Sequence, residues 1–148
     1  MIVRLILFIV VGLFLSCKTT QETTLYVPQW QVNLTESGGF AGITKTFVIQ
    51  DGGTCLRIVG KDTVLSERKL EFALQQSILQ DLNTIGFRQI KYESAGNLTR
   101  SVAFGEAKTG WKIHTVRWEV GRSDVPPAMN PFYERTMQKI IPYFNTYK

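Results

Sequence analysis

Apolar and polar residues alternate from Trp30 to Leu34, with Trp30, Val32 and Leu34 on one face and Gln31 and Asn33 on the other. A period of two predicts a strand with one wet face. Ile43 to Ile49, rich in Thr, Val, Ile and Phe, predicts a second strand. Asp51-Gly52-Gly53 is a turn signal, and Thr54 to Val59 follows as a third strand. The period then lengthens. Leu70, Ala73, Leu74, Ile78, Leu82 and Ile85 recur at spacings of three and four, which makes one apolar stripe on a helix over Glu67 to Ile85. Ser66 is placed to cap it and Gly86 to end it in the left-handed conformation.

Two further strands are predicted, Asn97 to Phe104 with Val102 and Phe104 inward, and Trp111 to about Val120. Val125-Pro126-Pro127 breaks the chain. Asn130-Pro131 reads as a helix start, and Pro142 ends or kinks that helix near Ile141. The order is three strands, a long helix, two strands and a short helix. It predicts an α+β fold: an antiparallel sheet of about five strands with both helices on one face. Trp30 and Trp111 are assigned to the core. Trp118 is opposite to Trp111 in parity on the same strand, so one of that pair is expected to face outward, as aromatics at interfaces do.

Between the first two strands lies ESGGFAGITKTF, Glu36 to Phe47, in which Gly38, Gly39 and Gly42 surround Phe40. A hairpin needs only about two turn residues, so this longer connection asks for another reason. A phosphate cradle is excluded, because SGGFAG lacks the lysine that a phosphate loop places after its glycines.

The start of the chain bears on location. Met1 to Ser16 carries one charge, Arg4, before an apolar and small run from Leu5 to Leu15, which fits a secretory signal over residues 1–16. Leu13 to Cys17, LFLSC, resembles a bacterial lipobox, which implies that Cys17 is acylated and becomes the first mature residue. The run is shorter than the roughly 20 residues that span a bilayer, so the expectation is a lipid anchor. Residues 17–27 are then the lipidated cysteine and a polar tether, and residues 28–148 one domain. Lys18 stands where some bacteria place an aspartate that retains lipoproteins at the inner membrane, which points to the outer membrane.

Composition narrows the chemistry. The chain has 17 Lys and Arg against 12 Asp and Glu. Loss of Arg4 with the signal leaves a net charge of +4, scattered without the basic stripe that nucleic acid requires. Cys55 is the single other cysteine, so no disulfide is expected within the mature chain. One histidine, His114, rules out a zinc site built on a His pair, and no GxSxG or HExxH motif occurs. A Cys55–His114 nucleophilic pair is conceivable, but both lie in predicted strands where a buried thiol and a sheet-face imidazole are the ordinary roles. We therefore expect no enzyme and no cofactor.

With the glycine loop placed between two opening strands, the chain resembles the emfourins, small protein inhibitors of thermolysin-like zinc metalloproteases. The resemblance is carried by SGGFAGI (Ser37 to Ile43), by Gly86-Phe87 at the helix end and by His114-Thr115 on a late strand. Val125-Pro126 and the helix from Pro131 complete it, so that it spans roughly Trp30 to Ile141. It implies a membrane-tethered inhibitor of a secreted or periplasmic metalloprotease. Its partner-binding residues would be Ser37, Gly38, Gly39, Phe40, Ala41 and Gly42, with the loop occupying the active-site cleft. The alternative is a non-inhibitory envelope lipoprotein, an assembly or ligand-binding module, in which Phe40 turns inward as a plug.

Overall fold

The computed structural model describes residues 26–144. The signal segment, Cys17 and most of the tether lie outside the described residues. Six strands form one antiparallel sheet: β1 (Trp30–Gly38), β2 (Ile43–Gln50), β3 (Cys55–Val59), β4 (Asp62–Leu65), β5 (Leu98–Glu106) and β6 (His114–Glu119). Their spatial order is β4-β3-β2-β1-β5-β6. Two helices accompany them, α1 (Phe72–Thr84) and α2 (Met129–Ile140).

The α+β class is as expected, but the strand count is six rather than about five. The added strand, β4, sits within GKDTVLSERK, a stretch that reads as a long lead-in to the helix. Val59 pairs with Asp62 across Gly60-Lys61, and the positive φ at Gly60 fits a tight two-residue hairpin. Four residues with one inward apolar side chain, Val64, leave too short a period to detect.

Helix α1 starts at Phe72, not Glu67, and Ser66 does not cap it. The segment before it is held out of the helix by bonds to other parts of the chain. The amide of Ser66 donates to Cys55 O (2.8 Å), that of Glu67 to Tyr143 O (3.0 Å) and that of Leu70 to Gly53 O (2.8 Å). Leu70 is buried all the same. The helix closes as expected, with Gly86 left-handed at φ 63°. Helix α2 begins at Met129, so Asn130 lies inside its first turn instead of capping it. Its end, with a 3₁₀ turn over Ile141–Tyr143, matches the stop expected from Pro142.

The core gathers the inward side chains of the strands, among them Val32, Leu34, Phe47, Ile49, Val102, Phe104, Val116 and Trp118. Ile78 and Leu82 of α1 and Met129, Phe132 and Ile140 of α2 join the same cluster. Trp118 is fully buried; it donates from Nε1 to Asn130 Oδ1 (2.8 Å) and meets Tyr133 edge-on at 5.9 Å.

Of the other tryptophans, Trp30 packs against the core, but Trp111 is 37% exposed and corrects its assignment there. Strand β6 begins only at His114, and Trp111 stands in the preceding turn with φ 59°. One member of the Trp111–Trp118 pair faces outward, as parity calls for, and it is Trp111. Its ring lies by Gly105, beside Gln31, Asn33 and Ala103 on the opposite face of the sheet.

Candidate functional site

Strands β1 and β2 pair without interruption up to Gly38 and Ile43. The four residues between them turn at the end of the sheet, where the Gly42 amide donates to Gly39 O (3.2 Å). The Gly39 amide donates to Asn97 O (2.6 Å), tying the turn to the start of β5. Gly38 carries the strictest requirement. Its φ is +98°, and a Cβ there would stand 2.1 Å from Asn97 O. Gly42, at φ +60°, has open space around it.

Phe40 stands fully in solvent at 112% relative exposure, and Ile43 beside it is 47% exposed. The reading in which Phe40 turns inward as a plug is thereby overturned. A four-residue turn closed on itself leaves its second residue no core to reach. The proposed loop residues are not equivalent. Gly38, Phe40 and Ala41 line a concavity of about 320 Å³ with Glu36, Ile43, Lys45 and Leu98. Ser37 has the opposite parity and pairs with Thr44 and Thr99, on the other face of the sheet.

Behind the loop, the face that carries the core changes character. Its inward rows run across the strands, and Leu34, Phe47 and Val102 stand in one core row. One step towards the loop the row reads Arg100, Glu36, Lys45, Val59 and Asp62, each paired in register with the next. Charge thus replaces apolar side chains where the core ends. Arg100 donates from Nε to Glu36 (2.9 Å) and from a terminal nitrogen to Glu134 (3.2 Å), and its guanidinium lies 4.8 Å over the Tyr133 ring. Burial pulls the Arg100 pKa down, but the two carboxylates outweigh it, so the net shift is upward. Burial, with a lesser contribution from Glu36, raises that of Tyr133.

Glu36, Lys45, Arg100, Tyr133 and Glu134 line a groove of about 280 Å³ whose other walls are Phe47, Met137, Gln138 and Ile141. A further concavity of about 470 Å³ adjoins it over Arg57, Val59, Asp62 and Val64, and Lys45 borders all three hollows. No local motif marks this groove. The one trace in the chain is that Glu36 and Lys45 take the next inward positions after Leu34 and before Phe47, where alternation calls for apolar residues.

The remaining chemistry-bearing residues are set apart. Cys55 is fully buried, and burial pushes its thiol pKa up to about 12. His114 hydrogen-bonds Ile90 O through Nε2 (2.9 Å) and meets Phe87 edge-on at 5.1 Å. The sheet order puts four strand spacings between Cys55 and His114, about 19 Å at about 4.8 Å each, so the two do not form a nucleophilic pair. Among the described residues no group of three or more His, Cys, Asp or Glu is placed to hold a metal, and no helix is long and apolar enough to cross a membrane. Comparison with protein-family models, curated proteins and solved structures finds no match to this chain.

Proposed function

We propose that the Gly38–Gly42 hairpin is a presented binding element, and that the protein is a lipid-tethered inhibitor of a thermolysin-like zinc metalloprotease. The observation that carries this reading is the solvent-exposed Phe40 on a short glycine-flanked turn. Thermolysin-like sites, by the emfourin resemblance, take a large apolar side chain, and glycines on either side let the backbone approach a deep cleft. Inhibition is then occupation, with no chemistry supplied by this chain.

The placement of the loop suits a tether. The chain enters the domain at Gln29, whose amide donates to Asp51 Oδ1 (2.8 Å) at the Trp30 end of β1. The loop leaves from the other end, nine residues away, or about 30 Å at about 3.3 Å per residue. A lipid on Cys17, in the outer membrane by our reading, holds one end of the sheet and leaves Phe40 at the other. The same reading takes both helices as one layer on the Phe47 face. It is supported by the contacts of Tyr133 with Trp118 and Arg100, and of Lys139 with Ser77 and Asp81.

A second reading, a non-inhibitory envelope lipoprotein that binds a ligand, is favoured by the charged groove behind the loop. Titration of a chain starting at residue 25 against a thermolysin-like protease from the same cell separates the two. Unchanged hydrolysis at micromolar excess overturns inhibition. Incorporation of a radiolabelled fatty acid, lost in Cys17→Ala, tests the anchor.

A further inference from the structure

The groove between α2 and the charged row presents three kinds of surface. Its apolar lining is Phe47, Met137 and Ile141. On one side stand two carboxylates, Glu36 and Glu134, each giving one oxygen to Arg100. The Arg100 charge is therefore met twice over, and each carboxylate keeps an oxygen beyond that bond. Next to Glu36 in the row stands Lys45, exposed and in register with it, yet without an ion pair among the described residues. An apolar hollow with a few convergent polar groups is the usual form of a ligand site.

We infer that this groove binds the C-terminal end of a peptide whose last residue is apolar. A chain end displays a peptide N–H, an apolar side chain and a free carboxylate within one residue. The groove displays the complement of each: a carboxylate acceptor at Glu36, an ammonium on Lys45 one strand spacing away, about 4.8 Å, and an apolar lining that includes Phe47 and Met137. Lys45 takes the terminal carboxylate in a charge-assisted bond, Phe47 and Met137 receive the side chain, and the free oxygens of Glu36 or Glu134 accept the last N–H. Arg100, stacked on Tyr133, positions the two glutamates. An acidic side chain within a longer peptide carries its charge farther from the neighbouring apolar group and fits this spacing less well. The inference does not depend on inhibition, since it uses none of the loop residues.

The test uses the full chain in detergent micelles with methyl-labelled methionine, and follows the Met137 resonance, one of three in the chain, assigned with Met137→Leu. The probes are acetyl-Ala-Leu with a free carboxylate, its C-terminal amide, and amidated acetyl-Asp-Leu as the side-chain source of the same charge. The free acid is expected to shift Met137 saturably with a Kd on the order of 1 mM, reasonable for so small a ligand. Both amides are expected to bind about tenfold more weakly, the size of a lost hydrogen bond to a charged group. Lys45→Met should bring the acid down to the level of its amide with no change in melting temperature, because the side chain lies outside the core. Three results overturn the inference: no Met137 shift with the acid at about 10 mM, equal affinity for acid and amide, or equal affinity for the Asp-containing peptide.

Discussion

Phe40 illustrates how a single side chain separates stability from recognition. With its ring in solvent, Phe40→Ala removes no packing, and the expected change in unfolding free energy is within about 0.5 kcal/mol. If the loop enters a protease, the same variant loses about 2 kcal/mol or more of binding, as buried aromatic anchors do. Denaturant melts and inhibition titrations on one preparation read both quantities. Trp118 is the converse. Its indole is fully buried and its N–H is met by Asn130. Trp118→Phe leaves that amide oxygen without its donor, and a loss of about 1–3 kcal/mol is expected from this bond alone. Equilibrium unfolding measures it. Both tryptophan roles agree with parity, since an odd separation puts Trp111 and Trp118 on opposite faces. Which of the two turns inward is decided by α2, whose Asn130 and Tyr133 receive Trp118.

At the scale of elements, the β1–β2 hairpin was legible in the chain because both flanking strands alternate and glycines mark the turn. The details of the turn were not, since they depend on what approaches it. Asn97 O, from the start of β5, lies where a Cβ on Gly38 would go. Gly38→Ala therefore has to adopt φ +98° and displace backbone, at an expected cost of about 1–3 kcal/mol. Gly42→Asn is the control. Its left-handed φ of +60° suits asparagine and nothing lies within 4 Å, so a change below about 0.5 kcal/mol is expected. Thermal melts of the two variants decide it. Strand β4 and the late start of α1 were misread for different reasons. Strand β4 is a four-residue hairpin partner of β3, too short to show a period, whereas the backbone before α1 bonds partners distant in sequence, among them Tyr143, and these override local propensity.

Across the whole molecule, the buried side chains form one cluster that includes both helices and five of the six strands, so one cooperative transition is expected. Cys55 reports on it. Its ordinary pKa of 9.0 rises to about 12 through burial, so above pH 9 the unfolded chain loses a proton that the folded chain keeps. Stability then falls as pH rises from about 9 towards 12, by at most about 1.4 kcal/mol per pH unit for this group. Tyr133, raised chiefly by burial, adds to the alkaline decline. Urea melts from pH 8 to 11 should show this slope, shallower in Cys55→Ala. A slope unchanged by that substitution contradicts the assignment.

Periodicity and turn residues set the α+β class, the core parity of β1 and β5, the apolar stripe of α1 and the place of the glycine loop. Each of these depends on burying one side of a local element, and a local element writes its pattern into neighbouring residues. The sixth strand, the outward Trp111 and the exposed Phe40 came only from the folded chain. So did the groove, where Glu36, Lys45, Arg100 and Tyr133 stand together although they are spread over nearly a hundred residues. Strand register and the position of α2 assemble that site, and both are long-range choices made by the core as a whole.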